Sequence, residues 1–188
     1  MAATLAQIVS YLDHLGWTYD VQTDNNRIVT GVKATNLDHL LIVIALEEDG
    51  EFFKIYAPRI IQGVKDHPYQ GAAMQTLLTI SWETKMLQWE YDPSDGEVRA
   101  IIEFPLEDSL LTQRQFVRCL EALVKIVDEK AFPRLQKTLE TGEDPGDEAA
   151  DERFLLEFEQ HLPGVAERIY RAVSRRKQRI QSLPPSDD

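Results

Sequence analysis

Cysteine is nearly missing: the chain has one in 188 residues, so no disulfide can form within it. That residue, Cys119, lies between Phe116 and Leu123 at helical spacing, the setting of a packed thiol rather than of a nucleophile. Long hydrophobic runs are missing too. No apolar stretch approaches the roughly 20 residues that cross a bilayer. The start, MAATLAQIVSYLDHLG, interleaves polar residues where a signal peptide would be uniformly apolar, so the expected location is cytoplasmic. Positive charge is in deficit, with 20 Lys and Arg against 32 Asp and Glu, a net charge of -12. Such a balance repels phosphate backbones and argues against general nucleic-acid binding on electrostatic grounds.

Catalytic and metal-binding patterns are scarce as well. His14, His39, His67 and His161 are scattered over different segments, and none pairs with another ligand type at metal-binding spacing. No phosphate-cradling glycine run is present, and the Ser174 to Lys177 spacing lacks the companion motifs of a serine-lysine site. The most suggestive stretch is WEYDPSDGEVRAIIEF, residues 89–104. With Gly96 as sixth residue of a calcium loop, Tyr91, Pro93 and Ile102 would fall where oxygen ligands belong, so the pattern fails. Asp92-Pro93-Ser94-Asp95-Gly96 instead supplies what a tight hairpin turn needs. No cofactor or metal is expected.

What is there is a clear succession of periodicities. Leu5, Ile8, Val9, Leu12 and Leu15 line one helical face, and Gly16 follows where a helix ends. From Trp17 the period becomes two, a turn falls at Asp24-Asn25-Asn26, and a second strand runs near 27–34. LLIVIAL, residues 40–46, is apolar on both sides and predicts a strand covered on both faces. Asp49-Gly50 predicts a two-residue hairpin into FFKIYA. Tyr69, Ala73, Leu77 and Ile80 mark a helix running to about Trp82, and 87–91 and 98–104 are hairpin strands. Thr112 and Gln115 form a capping-box pattern ahead of a long helix that Pro133 should kink or end.

Three segments follow: residues 1–138 as one α+β domain, 139–152 as an acidic linker, and 153–188 as a helical extension whose final LPPSDD should be disordered. The acids of the linker contrast with RAVSRRKQR, where Arg171, Arg175, Arg176, Lys177 and Arg179 form a basic tail suited to an acidic surface.

Most of the strand aromatics, with Trp17, Phe53, Trp82 and Trp89 among the set, are expected in the core. Phe52 and Phe53 are adjacent and point to opposite faces, and Leu41 and Ile101 fall opposite the core-facing set. A second apolar face needs a cover. Leu41, Val43, Phe53, Ile55 and Ile101 are therefore the candidate partner-binding residues.

The order helix, strand meander, helix, hairpin, long helix, carried by LGWTYDVQ, LLIVIALEEDGEFFKIYA, AAMQTLLTI, LQWEYDPSDGEVRAIIEFPLED and LTQRQFVRCLEALVKIVD, resembles the YbjN family over roughly residues 3–130. That family is similar in fold to type III secretion chaperones. The resemblance implies an antiparallel sheet with helices packed on one face, in the order α-βββ(β)-α-ββ-α, often dimeric and without known enzymatic activity. The extension after residue 138 lies outside it.

Together these readings predict a non-enzymatic protein-binding, chaperone-like or regulatory module, using an apolar sheet face or strand edge to hold a protein partner. A homodimer is the expected assembly. Two other readings compete: a small-molecule or enzyme domain with a pocket between sheet and helices, and peripheral membrane or nucleic-acid attachment through the basic C-terminal helix.

Overall fold

The computed structural model describes residues 3–107, 109–146 and 148–181. The chain divides into two compact units, residues 1–145 and 146–188. The first is α+β. Helix α1 (Leu5–Leu15) is started by the Thr4 hydroxyl, which accepts from the Gln7 N–H, and stopped by Gly16 in a left-handed conformation. Six strands follow: β1 (Tyr19–Gln22), β2 (Arg27–Val32), β3 (Leu40–Glu47), β4 (Phe52–Ile61), β5 (Gln88–Tyr91) and β6 (Val98–Pro105). They form one antiparallel sheet in the order β1-β2-β3-β4-β6-β5. Helix α2 (Gln70–Glu83) joins β4 to β5, and α3 (Gln113–Lys125) and α4 (Phe132–Thr141) follow the sheet. The capping box at Thr112 and Gln115 forms as expected.

Register decides which residues make the core. Ile28 pairs with Ile44, Ile44 with Ile55 and Ile55 with Ile102, so these four share a face. Ile8 and Leu12 of α1 and Phe116, Leu120 and Leu123 of α3 close over that face. Phe53 meets the Phe116 ring edge-on at 6.3 Å between centroids, a favoured aromatic geometry. A second cluster joins Ala73, Leu77 and Ile80 of α2 to Val98, Ala131 and Leu135. Val43 and Ile101 are buried but belong to neither cluster. Within the first unit α1, α2, α3 and α4 all serve one face of the sheet.

The long helix differs from expectation at Pro133. Residues Ile126–Ala131 form a π-helical turn, in which the Phe132 N–H donates to the Val127 carbonyl five residues back, and the helix resumes as α4 with Pro133 in its first turn. The wider turn places the proline where its missing N–H is harmless. The π turn also carries Asp128, buried, whose carboxylate accepts the N–H groups of Thr35, Asn36 and Leu37 at 2.9, 2.7 and 3.0 Å. The side chain of Asn36 returns a bond to the Asp128 carbonyl at 3.0 Å. This carboxylate pins the β2–β3 loop to the helix.

The turn at Asp49-Gly50 is longer than two residues: Glu48, Asp49 and Gly50 all take positive φ between Glu47 and Phe52. Residues 139–152 are not one linker. They hold the end of α4, a short connection and the start of α5 (Glu148–His161).

The second unit holds two helices, α5 and α6 (Val165–Gln181), joined by a three-residue turn at 162–164. Pro163 and Gly164, with Gly164 at positive φ, break the helix as the sequence predicts. The terminal LPPSDD lies outside the described residues.

Candidate partner-binding surface

On the sheet face turned away from α1–α4, Val29 pairs with Val43, Val43 with Tyr56, Tyr56 with Ile101 and Ile101 with Gln88. Leu41 stands beside Val43 on the same face. This apolar row is roofed by long polar side chains of the face itself. Lys54 reaches Glu47 at 3.5 Å and Glu103 at 3.4 Å, while Arg99 pairs with Glu90 at 2.5 Å and lies 5.5 Å from the centroid of the Tyr56 ring. Burial pulls the Lys54 ammonium down, yet Glu47 and Glu103 outweigh it and hold its pKa above the ordinary lysine value. Aliphatic stems cover the row while charged heads stay in water. Ile101 is 0% and Val43 6% exposed, and only Leu41, at 41%, has much left to bury.

Of the five residues expected to meet a partner, Leu41, Val43 and Ile101 lie on this face. Phe53 and Ile55 do not, and that expectation is corrected here. The pairs Leu46–Phe53 and Ile44–Ile55 put both on the helix-covered face, fully buried.

A different apolar surface stands out on α2. Ala73, Thr76, Leu77 and Ile80 are its buried side. Leu78 and Trp82, one turn apart on another side, are 72% and 90% exposed. Trp82 was expected in the core; its position four residues from Leu78 and off the Ala73–Leu77–Ile80 line is the signal that separates it. Met86, four residues further on, is also exposed.

The support beneath this stripe is a network of ion pairs and hydrogen bonds. Arg134 of α4, a buried guanidinium, donates to Glu83 at 2.7 Å and to Asp144 at 2.6 and 3.0 Å, and Lys130 reaches Glu83 at 2.9 Å. Burial raises the Glu83 carboxyl, but hydrogen bonds and charge from Lys130 and Arg134 prevail, and its pKa lies below the ordinary glutamate value. The hydroxyls of Thr76 and Thr138 meet at 3.2 Å between α2 and α4.

The carboxylates of 89–104 make the turn that the spacing predicts. The Asp92 carboxylate accepts from the Ser94 N–H at 2.8 Å and Asp95 from the Glu97 N–H at 2.9 Å. The Gly96 N–H donates to the Asp92 carbonyl at 2.8 Å, and Gly96 takes φ 82, with Lys65 Cβ only 2.6 Å from where a side chain would begin. Hydrogen bonds from Ser94 hold Asp92 below the usual carboxylate range, so it stays ionised rather than poised as an acid. Among the described residues no group of His, Cys, Asp and Glu could hold a metal. Burial pushes the Cys119 thiol up to about 11, against a smaller opposing pull from Arg118. In the basic tail, Arg171, Arg175 and Arg176 are exposed on α6, with Arg171 paired to Glu167. The side chains of Lys177 and Arg179 lie outside the described residues.

No family profile matches the chain, and no curated protein matches it. Among solved structures it is similar to YbjN from E. coli, at 12% identity and a TM-score of 0.51, over 70% of this chain and 92% of that one. It also matches the HopA1–SchA chaperone–effector complex at 14% identity and a TM-score of 0.46, over 65% of this chain and 88% of that one. The first likeness establishes a YbjN-like α+β fold. No helix among the described residues is long and apolar enough to cross a membrane.

Proposed function

We propose that the chain is a non-enzymatic protein-binding module of a chaperone-like or regulatory kind, working in the cytoplasm, and that its partner lies along α2. A tryptophan 90% exposed beside a leucine 72% exposed, on a helix anchored to the buried Arg134 guanidinium, carries this reading. Tryptophan is the side chain most enriched among residues that dominate interface energies, and a support already tied by ion pairs lowers the ordering cost of binding. Roughly 200 Å² of indole and leucine surface at ~25 cal/mol per Å² gives a gross gain of about 5 kcal/mol. The occupant that fits is an amphipathic helix with basic flanks, whose apolar side meets Leu78 and Trp82 and whose charge is drawn by the net -12 of this chain.

The sheet face is the poorer place, because Val43 and Ile101 are already buried and Leu41 alone would gain. The edge strands β1 and β5 have four residues each, short templates for strand addition.

The test uses the full chain as bait beside its Trp82→Ala and Leu78→Ala forms. A protein held by the parent should be lost by both, and with that protein purified, titration should show Trp82→Ala about 30-fold weaker. Equal retention by all three baits would end the assignment to α2.

A further inference from the structure

The second unit cannot bury a core by itself. None of the described side chains of residues 151–176 is buried. Phe154, Leu155 and Leu156 of α5, Leu162 of the turn and Ile169, Tyr170 and Val173 of α6 are between 47% and 74% exposed. Leu155, Phe158 and Leu162 follow a spacing of three then four, and Ala166, Ile169 and Val173 repeat it. That is the seam of a helical bundle, present on both helices, while a bundle of only two helices leaves such seams wet. Units of about 40 residues need a staple or an oligomer to hold together, and the lone cysteine, in the other unit, offers no staple here.

Charge indicates what covers the seam. Helix α5 carries five acids against Arg153, a net -4, and α6 carries six bases against Glu167, a net +5. We infer that the α5–α6 hairpin is a self-association module: two copies pair about a two-fold axis into a four-helix bundle, α5 of each lying against α6 of the other. An isologous pairing of this kind sets every acidic helix beside a basic one and buries the seam of both. An anionic membrane or nucleic acid would meet the same bases only with the acids of α5 close by, one turn away in the chain. With about 200 Å² for a large apolar side chain, seven of them roughly half exposed offer on the order of 700 Å² per copy, close to the ~800 Å² a side of a standard specific interface. The inference rests on residues other than the α2 stripe and stands or falls separately from it.

Sedimentation equilibrium on the full chain tests it. The parent should be dimeric at micromolar concentration, and Leu155→Glu with Ile169→Glu should weaken self-association at least about 100-fold, because buried carboxylates would lack partners. Two further full-length forms guard against simple misfolding of the hairpin. Glu152→Lys with Glu157→Lys, and Arg168→Glu with Arg175→Glu, should each dimerise poorly alone and form a heterodimer when mixed. A monomeric parent, a dimer that survives Leu155→Glu with Ile169→Glu, or reversed forms that do not recover on mixing would each overturn the inference.

Discussion

At the scale of single residues, Asp128 carries more structure than its sequence context suggests. Three N–H groups of the β2–β3 loop converge on one buried carboxylate. Asp128→Ala would leave those donors unpaired and is expected to cost about 3 kcal/mol, read as a lowered urea midpoint. Asp128→Asn should recover part of the loss, since its carbonyl oxygen still accepts. Nothing in KIVDEKA announces this role, because the loop it serves lies some 90 positions away. Cys119, by contrast, was legible: its apolar neighbours at helical spacing place it inside, and its thiol is pushed up to about 11. It should therefore resist thiol reagents at pH 8 in the folded chain and react at once in denaturant. The split of the candidate set was legible too. A turn centred on Asp49-Gly50 already pairs residue 43 with 56 and 44 with 55, which sets Ile55 and Phe53 apart from Leu41 and Val43.

At the scale of elements, the helix and strand order followed from periodicity, since each segment keeps one period over enough residues to be distinctive. What periodicity left out is which sides of α2 are covered, because that helix is apolar nearly all round. Its inner side depends on the α4 joint. Arg134→Met removes the cation between Glu83 and Asp144 and is expected to destabilise the chain by about 3 kcal/mol at pH 7. The Glu83 pKa is lowered in the folded state, so its contribution is full above the ordinary glutamate value of 4.5 and is lost as pH falls through the lower folded value. The gap between parent and Arg134→Met in urea melts should accordingly narrow between pH 5 and pH 3. Trp82→Ala, on the outer side, should leave the melt within about 0.5 kcal/mol of the parent.

At the scale of the whole molecule, two units with unequal burial should not open together. Amide exchange in β3, β4 and β6 should be slow at any protein concentration. In α5 and α6 it should be fast when dilute and slow at high concentration, and exchange there that ignores concentration would contradict pairing of the hairpins. The acidic stretch with its Gly142, Pro145 and Gly146 spans the boundary between the two units. Where the helices begin and end within it was not legible, because acids are as much at home at a helix start as in a linker.

The π turn between α3 and α4 acts as a phase shifter. An α-helix advances by about 100° per residue, so one extra residue in the turn reorients everything after it. Before it, Phe116, Leu120 and Leu123 address the sheet; after it, Arg134, Leu135 and Thr138 address α2. Deleting Glu129 alone would swing the later set out of alignment and, in regular pitch, press the Pro133 ring against the carbonyl four residues back, where a loop of the same length would absorb the loss. Chain length at this point works as an angular setting.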